Sequence, residues 1–329
     1  MSCCHPYKGF RTGYLTENGR DEIVLFRYSQ CDEVSLSVIS KKAKINIENV
    51  PHKVVSGEVF LTEPIDIPCG CCIGCRMAKA KEWKIRNCLE SSYHGSDQHF
   101  ITLTYDDEHL PINEFGEPYL KKDDLSLFMR YIRRNCGDFR FFGCGEYGEN
   151  TQRPHFHLLL YGRLNGFSLI GVNKFSCKDV DKAWSKGNAI VEAVTPGSIA
   201  YVSGYCVKKQ RDPYFESYPV KPFINMSRKP GIGFQWVLDH MDTIRDTFKV
   251  SGYFGGSKPS SVAIPRGWKR KLEDEPFFEE WKEASKLAGE TIQETMMAVY
   301  HCCTKERLGD AVERSLLNNL DNLTRKESL

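Results

Sequence analysis

The sequence has 329 residues, 41% of them hydrophobic and 27% charged, which excludes a disordered chain, a collagen and a simple coiled coil and suits about two domains or one elaborated domain. The formal net charge is only +2, from 45 basic and 43 acidic residues, so the uniformly basic surface of many nucleic-acid binders is excluded as well. No apolar run approaches the roughly 20 residues of a membrane span, and the opening MSCCHPYKGF lacks the apolar core of a signal peptide.

Residues 1–60 read as short strands and turns, with IVLFRYS (23–29), VSLSVIS (34–40) and VSGEVFLT (55–62) as the strand candidates. PCGCCIGC follows and puts Cys69, Cys71, Cys72 and Cys75 within seven residues, directly ahead of a basic, helix-patterned stretch, RMAKAKEWKIRNCLESSYH. The strand HFITLTY (99–105) comes next. Asp123 or Asp124 is placed to N-cap a helix over 125–135. FRFFGCGEY (139–147), a GENTQRP turn and HFHLLLYG (155–162) read as a strand pair. Ser176 with Asp179 resembles a capping box for a helix reaching Trp184. AIVEAV (189–194) is a fourth strand, and SIAYVSGYCVKK (198–209) is a helix.

The order β-α-β-β-α-β-α implies an α+β fold, an antiparallel ferredoxin-like sheet with packed helices. Residues 210–260 are irregular and rich in Gly, Pro and aromatics, and the chain turns helical after Pro276. The expected division is a strand-rich extension (1–64), a cysteine cluster with a basic helix (65–95), the core (96–210) and a C-terminal region (211–329).

Three constellations carry chemistry. His155 and His157 are i and i+2 on a strand, so both imidazoles point to one face and can share a divalent cation. Glu146 lies nine residues earlier; if the two strands pair antiparallel, its carboxylate joins them. Tyr201, Tyr205 and Lys208 share one helix face. A tyrosine hydroxyl can attack a phosphodiester, and an ammonium beside it can hold a phosphate. Each of these patterns also occurs as ordinary packing.

In this order, ITLTYDD, GEYG with RPHFH, and YxxxYxxK resemble the HUH endonucleases. More closely they resemble the replication initiators of microviruses, with the 68–76 stretch similar to the gokushovirus-type branch. The resemblance covers about 65–210. It implies an HUH fold in which His155, His157 and Glu146 hold Mg²⁺ or Mn²⁺, with Tyr201 and Tyr205 as nucleophiles assisted by Lys208. It implies nicking and rejoining of single-stranded origin DNA through a 5′-phosphotyrosine during rolling-circle replication of a small phage genome. The partners so implied are origin DNA and host helicase and replication machinery, in the host bacterial cytoplasm. An HUH transposase or plasmid-mobilisation nuclease, and a non-catalytic zinc-containing nucleic-acid binder, are the alternative readings.

Cys69, Cys72 and Cys75 can supply three thiolates to a structural Zn²⁺, with Cys71, Cys88 or His94 as the fourth ligand. An iron–sulfur site and a loop of reduced thiols are the other options at this spacing. Near-neutral total charge conceals opposed blocks: residues 258–271 carry +5, and 272–290 carry −5. Basic segments at 125–135, 208–229 and 258–271, with Tyr214, Phe215, Tyr218 and Trp268, could hold a single strand by phosphate contact and base stacking.

Overall fold

The computed structural model describes residues 3–27, 32–148, 151–208, 218, 220–269, 271–300 and 305–327; for 205–208, 305–307 and 320–327 it describes the backbone alone. The chain opens with β1 (Tyr7–Leu15), β2 (Asp21–Arg27), β3 (Val34–Ser35), α1 (Leu36–Ile39), β4 (His52–Val55), β5 (Glu58–Leu61) and β6 (Ile65–Ile67). Next come α2 (Ile73–Ser91), β7 (Gln98–Tyr105), α3 (Lys122–Cys136), β8 (Arg140–Tyr147), β9 (Pro154–Tyr161), β10 (Phe167–Gly171), β11 (Lys174–Cys177), α4 (Lys178–Ala183), β12 (Gly187–Ala193) and α5 (Pro196–Lys208). The rest is β13 (Phe223–Met226), α6 (Phe234–Asp239), α7 (Met241–Thr247), β14 (Lys249–Gly252), β15 (Ser260–Ala263), α8 (Arg266–Lys269), α9 (Phe278–Val299) and α10 (Lys305–Glu327). Two compact units divide the chain, residues 1–76 with 284–329, and residues 77–283. Among the described residues no helix is long and apolar enough to cross a membrane.

The larger unit is built on a seven-stranded antiparallel sheet, ordered β10-β11-β12-β7-β9-β8-β13. Its central run, β12-β7-β9-β8, has α3 and α4 as crossovers, which is the split βαβ arrangement expected from the element order. Strand alternation sorts the residues by face. Phe156, Leu158 and Leu160 of β9 pack with Leu125, Phe128, Met129 and Ile132 of α3. Leu159 and Tyr161 point the other way, against Ile199 and Val202 of α5, with Trp83 of α2 alongside. Burial on both faces is why HFHLLLY is nearly all apolar, each such side chain contributing roughly 1.5–3 kcal/mol. The polar residues that interrupt it therefore stand out.

Three local expectations change. The strand expected over 34–40 ends at Ser35, whose hydroxyl accepts from the Ser37 N–H and starts α1 instead. Helix α3 begins one residue beyond Lys121, so Asp123 and Asp124 sit in its first turn rather than at the cap; Asp124 accepts from the Tyr105 hydroxyl at 2.9 Å. The Ser176–Asp179 box does not form, because Ser176 belongs to β11 and Cys177 caps α4 without a side-chain bond. The hairpin β10–β11 goes unread in the sequence because β10 is exposed throughout and carries no burial pattern.

Glu90 fixes α2 to the sheet. Its buried carboxylate accepts from Arg140 of β8 and, at 2.6 Å, from the Gly233 N–H, with His94 3.5 Å away. Burial opposes ionisation of Glu90, but these partners outweigh it and hold the carboxyl below its ordinary value. Its stabilising contribution is therefore complete above the ordinary Glu value near 4.3 and is lost as pH falls through the depressed one. We expect Glu90→Gln to cost about 2 kcal/mol at neutral pH, less than a fully buried pair because Arg140 is 24% exposed. Unfolding midpoints measured from pH 7 to pH 3 should show that gap narrowing on acidification; a constant gap would refute the role.

Candidate active site

The β8–β9 register sets Glu146 directly opposite His155, and Cys144 opposite His157. Opposed residues share a face, so one carboxylate and two imidazoles converge. One ligand atom from each of Glu146, His155 and His157 lies within 4.8 Å of the others. The Glu146 Oε1 atom is 2.8 Å from His155 Nε2 and 3.1 Å from His157 Nε2. Arg153, at the start of the returning chain, donates twice to the Tyr105 carbonyl (3.1 and 2.8 Å) and pairs with Asp107. This ties the end of β7 to the turn beside His155.

Glu146 is 3% exposed. Burial alone would raise its carboxyl, but the hydrogen bonds and charges of His155 and His157 win and pull it down to about 2. The carboxylate is thus ionised at neutral pH. Burial lowers the proton affinity of His157 against the pull of Glu146, with the His155 charge adding to the lowering.

His155 decides what the cluster suits. Its Nδ1 lies 3.1 Å from the Arg153 carbonyl, which can only accept, so Nδ1 carries a proton. Its Nε2 faces the Glu146 carboxylate, a second acceptor. A neutral ring cannot donate at both ends. The arrangement therefore calls for an imidazolium or for a cation between Nε2 and the carboxylate. Two imidazole nitrogens with one carboxylate oxygen are a donor set for Mn²⁺- or Mg²⁺-type chemistry with ligand positions left open.

Tyr201, on α5, stands over this cluster. Its hydroxyl is 3.5 Å from His157 Nε2, its ring meets the His157 ring edge to face at 5.2 Å, and it is 46% exposed. An open groove of about 1000 Å³ runs past it, lined by Phe100, Thr102, His157, Glu192, Ser198 and Tyr201. Tyr205 lies one turn on in α5 and Lys208 ends it; their side chains fall outside the described residues.

Three residues of this site escaped the sequence reading. Thr102, paired across β7–β9 with His157, has its hydroxyl 3.0 Å from His157 Nδ1. Phe100 stacks on the same ring at 5.6 Å. Glu192 of β12 pairs with Phe100, shares the face, and favours the charged form of His157. A lone acid inside the apolar AIVEAV was the available signal for Glu192; nothing marked Thr102 in ITLTY.

Among the cysteines, the structure brings Cys69, Cys72 and Cys75 together, and the fourth thiol is Cys3. None of the three expected candidates takes that place: Cys71 is exposed, Cys88 packs beside Trp83 in the larger unit, and His94 faces Glu90. The stacking expectation also changes. Trp268 is fully buried in the core around α6 and α8, so no base can stack on it. Tyr218 packs on Tyr147 at 4.6 Å, and Tyr214 and Phe215 lie outside the described residues.

Residues 98–210 match the family model for the replication-associated protein ORF2. The chain is 28% identical over 273 residues to the replication-associated protein ORF2 of Spiroplasma virus 4, covering 77% of this chain and 83% of that protein. It is 30% identical over 229 residues to the replication-associated protein VP4 of Bdellovibrio phage phiMH2K, covering 64% and 70%. A third relative, the replication-associated protein ORF4 of Chlamydia phage 1, is 27% identical over 159 residues, 44% of this chain and 38% of that protein. No solved structure matches. The chain belongs to the replication-associated proteins of microviruses, the family of rolling-circle replication initiators that its motifs resemble.

Thr102 orients His157 from behind, and loss of such a partner typically weakens metal binding by roughly 10- to 100-fold. Thr102→Val should lower Mn²⁺ affinity by that factor, read as free Mn²⁺ by electron paramagnetic resonance during titration. Unchanged affinity would remove Thr102 from the site.

Proposed function

We propose that this protein is an HUH-type endonuclease and strand transferase that nicks and rejoins single-stranded origin DNA. The observation that carries the reading is one juxtaposition: the Tyr201 hydroxyl sits 3.5 Å from a histidine of the Glu146–His155–His157 cluster, in one open groove. Family membership and the split βαβ sheet support it.

On this reading Glu146, His155 and His157 hold Mg²⁺ or Mn²⁺, which when bound polarises the scissile phosphate and offsets charge on its oxygens. The Tyr201 oxygen attacks phosphorus. The Tyr O–P bond forms as the P–O3′ bond breaks, the phenolic proton leaves to solvent, and the departing 3′ oxygen takes one up. The 5′-phosphate stays on tyrosine. Because one phosphodiester replaces another, a 3′-hydroxyl can later attack the phosphotyrosine and reseal the strand without ATP. Tyr205, one helical turn from Tyr201, is the second nucleophile, and Lys208 is the assisting cation. The exposure of Tyr201 suits a residue that must leave its packing and stay tethered to a strand. The substrate is origin DNA, the freed 3′-hydroxyl serves the host replication machinery and helicase, and the place of action is the host cytoplasm.

The test is an origin-derived single-stranded oligonucleotide incubated with the protein and Mn²⁺. The unmodified protein should give a covalent adduct that survives SDS. Tyr201→Phe combined with Tyr205→Phe should abolish the adduct, and His155→Ala should reduce it at least ~10-fold, within the usual contribution of a catalytic group. An adduct persisting in the double tyrosine variant would overturn the assignment.

A further inference from the structure

Cys3, Cys69, Cys72 and Cys75 belong to one compact unit and take no part in the chemistry proposed above. Their sulfurs all lie within 4.8 Å of one another, and Cys3 Sγ to Cys72 Sγ is 3.9 Å. These are separate thiols, since a disulfide would bring its sulfurs to about 2.05 Å. A tetrahedral Zn²⁺ with Zn–S bonds near 2.3 Å needs sulfur–sulfur edges of about 3.8 Å. The Cys3–Cys72 edge is at that size, and no other edge exceeds 4.8 Å. Four irons and four sulfides would hold the thiolates wider apart.

The backbone around the sulfurs is arranged to support thiolates. The Cys69 N–H donates to Cys3 Sγ at 3.3 Å, and the Cys72 N–H to Cys69 Sγ at 3.3 Å. Cys72 Sγ accepts from the Cys4 N–H at 3.3 Å and from the Cys75 N–H at 3.4 Å. Amide donors of this kind spread the negative charge of ligating sulfur and fix its direction. Cys75 also lies in the first turn of α2, where the helix end favours negative charge. Neutral thiols would gain little from such a shell, while four thiolates this close repel strongly without a cation.

We infer that Cys3, Cys69, Cys72 and Cys75 form a four-thiolate structural Zn²⁺ site. The site is closed: all four ligand positions are protein sulfur, and Cys3 is buried. Beside it Cys4 packs with Ile73 and with Leu308 and Val312 of α10. The approach there is tight, since a Cβ on Gly309 would lie 2.0 Å from the Cys4 carbonyl oxygen. A closed site has no position for substrate, so its role is to fasten the chain. It joins residue 3 to residue 75 and so closes the whole β1–β6 segment onto the first turn of α2.

The test uses the full-length protein purified with Zn²⁺ in the medium. Metal content is measured after dialysis, and maleimide labelling of each cysteine is mapped by mass spectrometry before and after a strong chelator. We expect at least one zinc per chain. Exposed Cys71 should label at once, while Cys3, Cys69, Cys72 and Cys75 should label at least ~10-fold faster once zinc is removed, with Cys144 and Cys177 as buried controls that do not follow. Mapping to individual residues separates this site from zinc held by the histidine cluster. Labelling of the four that the chelator does not change would overturn the proposal, and so would iron in place of zinc.

Discussion

The structure depends on the pairing of Glu146 with His155 across β8 and β9. A strand has a side-chain period of two, so a slip of one residue would move every side chain to the opposite face. Such a slip of β9 would push both imidazoles into the layer filled by Phe128, Met129 and Ile132, parting them from Glu146 on β8, and would turn Phe156, Leu158 and Leu160 towards the groove. Burying those polar groups without partners costs several kcal/mol in total. The apolar half of HFHLLLY thus sets the geometry of its polar half. Gly145 permits the same pairing from the other strand, because a side chain there would lie 2.8 Å from the Phe223 ring.

Once register is set, burial and exposure divide the labour. Glu146 and His157 are buried and held from several sides, His157 by Thr102, Phe100 and Tyr201. The ionised carboxylate is therefore present before anything binds, and the ring that faces it has little freedom to turn. Tyr201 is half exposed at the rim. A rigid set of donors beneath a more accessible hydroxyl is the order of stiffness that the proposed role of Tyr201, a nucleophile serving a large, moving strand, would require.

Much of this was legible in the sequence for a stated reason. The βαββαβ order, the pairing of 139–147 with 155–162, and the shared face of His155 and His157 all follow from periodicity, and periodicity is strong where both faces of a sheet are buried. What escaped lacked that signal. β10 is exposed throughout, and β13 is only half-buried in a region dense with Gly and Pro. Thr102 is an ordinary strand residue until its partner on β9 is known. Cys3 is 66 residues from Cys69, and spacing cannot reveal a ligand that the fold delivers from the far end of a segment. Trp268 misled because a Trp among basic residues resembles a nucleic-acid contact, whereas hydrophobic burial claimed it.

The fate of the basic residues bears on the charge balance. Arg133 donates to the Phe139 carbonyl and to Ser227, Arg140 is engaged by Glu90, and Arg86 donates to the Ile232 carbonyl and lies over the Trp83 ring. Lys269 and Lys271 sit over Trp281 and Phe234. These cations hold the larger unit together through carbonyls, a hydroxyl, the carboxylates of Glu82 and Glu90, and aromatic faces. Two of the five cations of the 258–271 block, Lys269 and Lys271, are thus drawn onto aromatic faces of the unit. With a net charge of +2, little long-range field remains to draw in a polyanion. On the function proposed above, capture of a single strand would accordingly rest on contacts along the groove itself, with a salt dependence shallower than that of a binder neutralising many phosphates at once.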